Sequence, residues 1–171
     1  MDSRKKLEDK KLTLASRILL RNILSQNYRI EENAIFLDSD ENGKPFILGK
    51  PFEISISHSI DTVAVAISES VVGIDIEKIR KTDLNLMKRF FEDEDISYVL
   101  GDYQSVDDYN GYSSPSVLKR FFEVWTKKEA ASKLDGRGLS VVQKISLCDY
   151  IFETNTTEDG NYVISVCVGR K

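Results

Sequence analysis

Between Ser116 and Lys133 the apolar side chains Leu118, Phe121, Phe122 and Trp125 recur at helical spacing, which predicts a long helix with one core-facing stripe. At about 100° per residue Glu129 falls in the middle of that stripe, and Lys133 lies one turn further on at its margin. An ordinary exposed Glu→Lys pair four residues apart would sit on the opposite face and contribute a few tenths of a kcal/mol. Charges on a buried stripe are costly unless they meet a metal, a phosphate or each other. The helix therefore points to a chemical site.

A second stretch, Gly73-Ile74-Asp75-Ile76-Glu77, alternates strictly and predicts a strand. Ile74 and Ile76 face one way while Asp75 and Glu77 face the other, roughly 6–7 Å apart along the strand. Two hard oxygen donors at that spacing suit Mg²⁺, which takes one or two protein carboxylates and completes its octahedron with water and phosphate oxygens. An amphipathic edge strand with a solvated polar face gives the same alternation. Gly73 favours the site, because a glycine inside a strand marks a bulge or the close approach of a ligand.

The 171 residues suit one large domain or two small fused lobes. A net charge of -4 and a pI near 5.2 argue against a general nucleic-acid binder. Basic residues nevertheless cluster at Arg4, Lys5, Lys6, Lys10 and Lys11, at Lys78, Arg80 and Lys81, and at Lys119, Arg120, Lys127 and Lys128. Such patches on an acidic protein fit an anionic small molecule or an acidic partner, and about half of them read equally well as solvated helix faces. The chain has no apolar run of transmembrane length and no signal-peptide pattern, so a cytoplasmic protein without a membrane partner is expected. A single histidine excludes a histidine-rich zinc site. Cys148 and Cys167 stand in apolar, strand-like segments without a CxxC spacing, which predicts reduced core thiols.

Leu7 to Ser25 reads as a helix in which Leu12, Ala15, Leu19 and Ile23 share a face. A short strand is expected at Ala34–Leu37, then a turn at Asp38–Gly43 that leads into Gly43-Lys44-Pro45. Glu53–His58 and Thr62–Ser68 predict a hairpin, Val71–Glu77 a third strand and Asn85–Phe91 a short helix. Residues 92–116 are acidic and tyrosine-rich with little apolar content, so an irregular insertion with at most one helical turn near Ser97 is expected. Gly136 is a natural C-cap for the tryptophan helix. Strands near Lys144–Leu147, Tyr150–Glu153 and Tyr162–Val168 complete the chain. This order predicts an α+β architecture of two similar lobes, on element order alone.

The motifs then converge. Gly-Ile-Asp-Ile-Glu at 73–77 followed by Trp-Thr-x-Lys-Glu-Ala-x-x-Lys at 125–133 resembles the signature of the 4′-phosphopantetheinyl transferases, in their longer, two-lobed Sfp-type branch. Gly43-Lys44-Pro45, Ile56-Ser57-His58-Ser59 and Gly136-Arg137-Gly138-Leu139-Ser140 resemble other landmarks of that branch, and several motifs in the right order are more specific than any one. The resemblance covers roughly Thr13 to Ser140 and implies a pseudo-duplicated fold, each lobe a small, mostly antiparallel sheet packed on helices. It implies an N-terminal lobe over 1–70 that binds coenzyme A and a C-terminal lobe over 71–171 with the metal site and the catalytic helix.

The activity implied is transfer of the phosphopantetheine arm of coenzyme A to a serine of an acidic acyl or peptidyl carrier protein, with release of 3′,5′-ADP. By residue-by-residue match, Asp75, Glu77 and Glu129 would hold Mg²⁺, with Mn²⁺ as the alternative ion. Glu129 would also be the candidate base, and Lys133 would neutralise the diphosphate. Thr13, Lys44, Ser57, His58, Lys128 and Lys133 would contact coenzyme A. The branch carries a longer region before the Thr13 position, so the first lobe is expected to be shortened, which leaves coenzyme A affinity and the choice between monomer and oligomer open. Two other readings stand beside this one: a non-catalytic coenzyme A binding module, and a metal-dependent nucleotide phosphohydrolase.

Overall fold

The computed structural model describes residues 3–102, 114–136 and 145–169, with side chains described from residue 6 of the first helix onward. That helix, α1 (Ser3–Tyr28), buries a face one residue out of phase with the expected one. Ser16, Leu20 and Leu24 are buried, and Ala15 is exposed. The i, i+4 ridge of Leu20 and Leu24 packs against Ile35, Ile47 and Ile54, while the Ser16 hydroxyl donates to the Thr13 carbonyl and so enters the core satisfied. Arg21 donates to the carbonyls of Glu32 and Ile35, anchoring the 3₁₀ turn Glu32–Ala34 that replaces the start of the expected strand.

Two short strands, β1 (Leu37–Ser39) and β2 (Pro45–Ile47), pair antiparallel around a turn in which Asp40 accepts from the backbone of Asn42 and Lys44. The predicted hairpin forms from β3 (Glu53–Ser59) and β4 (Thr62–Ser68), with Ser59 opposite Thr62 and Ile60-Asp61 at the tip. The strand β5 (Val72–Lys78) then opens a third antiparallel sheet whose order is β5-β7-β6, with β6 at Tyr150–Thr156 and β7 at Tyr162–Gly169. No strand forms at 145–147; Leu147–Asp149 is a 3₁₀ turn, and Lys144 lies outside the described residues. Cys167 is buried on β7, but Cys148 is exposed in that turn rather than in the core.

Three helices follow, α2 (Leu86–Phe90), α3 (Asp93–Leu100) and α4 (Pro115–Asp135), of which α4 lies on the β5-β7-β6 sheet while α3 packs against α4. Within the segment expected to be irregular, α3 is a full helix of 8 residues, and residues 103–113 lie outside the description. Its acids account for this. Glu92 and Asp95 form a reciprocal capping box, and Asp93, Glu94 and Asp95 sit in the first turn, where negative charge is favourable. Val99 and Leu100 then face the core made by Phe91, Val117, Phe121 and Phe122.

The architecture is α+β, built of small antiparallel sheets and helices. Among the described residues no helix is long and apolar enough to cross a membrane.

Candidate functional site

Period-two alternation on β5 separates two environments. Ile74 and Ile76 pack with Ala64, Tyr162, Ile164 and Val166, while Gly73, Asp75 and Glu77 line the opposite face. Gly73 shows what covers that face. A Cβ there would overlap the Ala130 carbonyl oxygen and stand 2.8 Å from the Leu134 backbone nitrogen. The glycine therefore admits the backbone of α4 rather than a ligand, and this close approach brings the helix's charged residues over the strand's carboxylates.

Lys133 of α4 reaches Asp75 Oδ1 at 2.7 Å, and the Ser57 hydroxyl donates to the same oxygen at 2.7 Å. The other oxygen, Oδ2, is buried with no hydrogen-bond partner. Burial pushes the Asp75 carboxyl above its ordinary range, against the pull of Lys133 and Ser57. Glu77 accepts from the Ser59 hydroxyl at 2.6 Å and from Arg80 at 2.8 Å. Glu129, half-buried on α4, is pushed up to about 7, first by burial and then by the negative charge of Asp75 and Glu77, with Lys133 pulling the other way.

Asp75 and Glu129, both raised chiefly by burial and Asp75 carrying an orphaned buried oxygen, form with Glu77 an environment a divalent cation would relieve, and all three offer the hard oxygen donors that Mg²⁺ takes. The donor set fits the ion. Among the described residues, however, no three Asp, Glu, His or Cys side chains are drawn together into a finished coordination shell. The cation that meets Asp75 here is the Lys133 ammonium.

Beside this cluster a cleft of about 200 Å³ opens between the β1–β2 turn, β3 and the end of α4, lined by Lys44, Pro45, Ser55, Ile56, Ser132 and Lys133. Lys44 reaches Glu53 at 3.4 Å and the Leu134 carbonyl at 3.4 Å, so it bridges the first sheet to the end of α4. The structure thus brings Lys44, Ser57, Asp75, Glu77, Glu129 and Lys133 to one region.

Other expected residues lie elsewhere. Thr13 is exposed on α1, and its hydroxyl donates to the Asp9 carbonyl of its own helix. His58 is exposed on the face of β3 opposite Ser57 and Ser59. Lys128 is 0 % exposed, donates to the Ile145 carbonyl at 2.8 Å and pairs with Asp95 at 2.9 Å. The contact with phosphates implied by its motif position stands beside a different set of partners in this structure. The ammonium ties α4 to the capped start of α3 instead. Of Gly136–Ser140 only Gly136 is described; it closes α4 at φ 67°, and residues 137–140 lie outside the described residues.

Sequence reasoning missed Ser55, Ser59 and Arg80. A signal existed in the serines at every second position of β3, which an alternating strand puts on one face.

Residues 71–169 match the 4′-phosphopantetheinyl transferase superfamily, and residues 3–70 match the N-terminal part described for 4′-phosphopantetheinyl transferases. The chain is 35% identical over 138 residues to the 4′-phosphopantetheinyl transferase psf-1 of Bacillus pumilus, covering 78% of this chain and 54% of that protein. It is 33% identical over 135 residues to the 4′-phosphopantetheinyl transferase Sfp of Bacillus subtilis, covering 78% and 56%. A more distant relative, the L-aminoadipate-semialdehyde dehydrogenase-phosphopantetheinyl transferase of Xenopus laevis, is 28% identical over 138 residues, covering 77% and 45%. The chain spans about half the length of the curated relatives it matches.

Proposed function

The chain belongs to the 4′-phosphopantetheinyl transferase superfamily, and from that premise we propose that it moves the phosphopantetheine arm of coenzyme A onto a serine of an acyl or peptidyl carrier protein. The observation that carries the proposal is the meeting of Asp75, Glu77, Glu129 and Lys133 beside a cleft that also presents Lys44.

In this reaction the carrier serine oxygen bonds to the β-phosphorus of coenzyme A, and the phosphorus–oxygen bond to 3′,5′-ADP breaks. Charge builds on the phosphate oxygens and on the departing nucleotide, so stabilising that charge is the main task of the site. Asp75, Glu77 and Glu129 would hold Mg²⁺, or Mn²⁺ with the same donors, and the ion would supply charge neutralisation at the diphosphate. Lys133 and Lys44 add positive charge from the two sides of the cleft. Glu129, with a carboxyl near pH 7, suits acceptance of the serine proton, a role that competes with ligation. Ser57 and His58 are the proposed phosphate contacts on β3, and Thr13 is the proposed contact to the 3′-phosphate. Two similar lobes, meeting at the cleft, and an acidic carrier docked against the basic residues Arg80, Lys81 and Lys119 complete the proposal.

The test is to incubate the protein with apo carrier, coenzyme A and Mg²⁺ and to weigh the carrier. A mass gain of one phosphopantetheine supports the proposal. An unchanged mass with a competent carrier sinks it. Coenzyme A binding without transfer would make the chain a binding module, and nucleotide hydrolysis without a carrier would make it a phosphohydrolase.

A further inference from the structure

The β3-β4 hairpin and the β5-β7-β6 sheet are joined by side chains where backbone ladders would ordinarily run. Ser55, Ser57 and Ser59 of β3 are all buried, and their hydroxyls accept from the backbone N–H groups of Ile74, Ile76 and Lys78 at 3.1, 3.3 and 3.2 Å. Both residue numbers rise by two at each step, so the strands run parallel and the serines mesh with β5 like the teeth of a comb.

Two of these teeth do more than join strands. A hydroxyl that accepts a backbone N–H still has its own proton to give. Ser57 gives it to Asp75 and Ser59 gives it to Glu77, at 2.7 and 2.6 Å. Each hydroxyl is thereby fixed at both ends, and each carboxylate takes one bond from a donor that is itself immobilised by the sheet, beside Lys133 on Asp75 and Arg80 on Glu77. Ser55 accepts from Ile74 and faces no carboxylate among its described bonds.

We propose that Ser59 is a positioning residue for divalent-ion binding: through its hydroxyl it fixes the Glu77 carboxylate for ligation, while Ser55 joins the strands without bonding to a carboxylate among its described bonds. The inference rests on the metal-site reading of Asp75, Glu77 and Glu129. Groups that orient a metal ligand typically change metal affinity by about 10–100-fold when removed. Ser59 is suited to that role because it is 6 % exposed, so water cannot readily take the place of its hydroxyl.

The experiment measures Mn²⁺ affinity by electron paramagnetic resonance titration of the full chain, with Mn²⁺ alone and no substrate. Ser59→Ala is expected to weaken Mn²⁺ binding at least tenfold. Ser59→Thr, which keeps the hydroxyl, should restore it. Ser55→Ala removes one tooth of the same comb, so it should lower the melting temperature about as much as Ser59→Ala while leaving Mn²⁺ affinity unchanged. If Ser59→Ala does not fold, Ser59→Cys, similar in size and a weak donor, takes its place. Equal Mn²⁺ affinity in wild type and Ser59→Ala, or equal losses in Ser59→Ala and Ser55→Ala, overturns the positioning role and leaves the metal reading intact. No Mn²⁺ binding by the wild type overturns both.

Discussion

Lys133 and Asp75, 58 positions apart in the chain, meet in an ion pair of 2.7 Å that joins the tail of α4 to the middle of β5. The pair sits at the edge of the cleft, with the Asp75 side chain nearly buried and the Lys133 side chain 30 % exposed. It is the point at which the fold and the proposed chemistry meet.

Lys133→Met should therefore remove both a partner of Asp75 and the positive charge proposed to act at the diphosphate. Turnover is expected to fall by about two orders of magnitude. Single-turnover transfer to a carrier, measured at saturating coenzyme A, checks this; a rate near that of wild type would remove Lys133 from the mechanism.

Gly73→Ala probes the joint that makes the pair possible. The new methyl would overlap a backbone carbonyl of α4, which cannot swing aside as the end of a flexible side chain would. Destabilisation by about 3 kcal/mol or more is expected. Urea unfolding with an unchanged slope would show it as a shift in midpoint.

Glu129 predicts a pH dependence of stability. With its folded carboxyl near 7 and its ordinary value at 4.5, the folded chain holds a proton that the unfolded chain releases between those values. Stability of the metal-free protein should therefore fall as pH rises from about 4.5 to about 7 and then level off. Asp75, also raised, acts in the same direction, whereas Asp61 and Asp159 are lowered and act in the opposite one at lower pH. Glu129→Gln should flatten the slope in denaturant titrations across pH. The same variant should lose transfer activity and still bind coenzyme A.

Binding of Mg²⁺ or Mn²⁺ near neutral pH should release a proton, because Glu129 must ionise to serve as a ligand. Titration calorimetry in buffers of different ionisation enthalpy reads this directly. The heat should vary with the buffer in wild type and lose that dependence in Glu129→Gln.

Lys128 separates motif from structure. Its ammonium is buried against Asp95 and the Ile145 carbonyl, so Lys128→Met should destabilise the fold by about 3 kcal/mol while leaving coenzyme A affinity unchanged. A double substitution with Asp95→Leu should recover part of that loss, as expected for a removed partner that leaves a charge unpaired. A weakened coenzyme A affinity at full stability would return Lys128 to the phosphates.

Much of this protein was legible from residue order. Strict alternation at 73–77 placed both carboxylates of β5 on one face, and the stripe from Leu118 to Trp125 carried Glu129 and Lys133 to the inner side of their helix. The hairpin of β3 and β4 and the strands β6 and β7 followed from β-branched alternation bounded by turn residues. These are local signals, and their periods are set by backbone geometry alone. Local reading failed where a neighbour decided. Ala15 and Ser16 exchange exposure because of what α1 meets. The acids at 92–95 build a capped helix because α4 offers it a buried lysine and an apolar seat.

The amino-acid order by itself determined which residues could share a face, which segments would turn, and which charges would be carried inward. It did not determine which inward charge meets which. Lys133 with Asp75, Lys128 with Asp95 and the serines of β3 with the backbone and carboxylates of β5 are pairings between distant segments. They arise only when Gly73 lets a helix settle on a strand and two sheets close side by side. The energy of a buried charge depends on the partner that arrives there, and tertiary packing alone brings that partner.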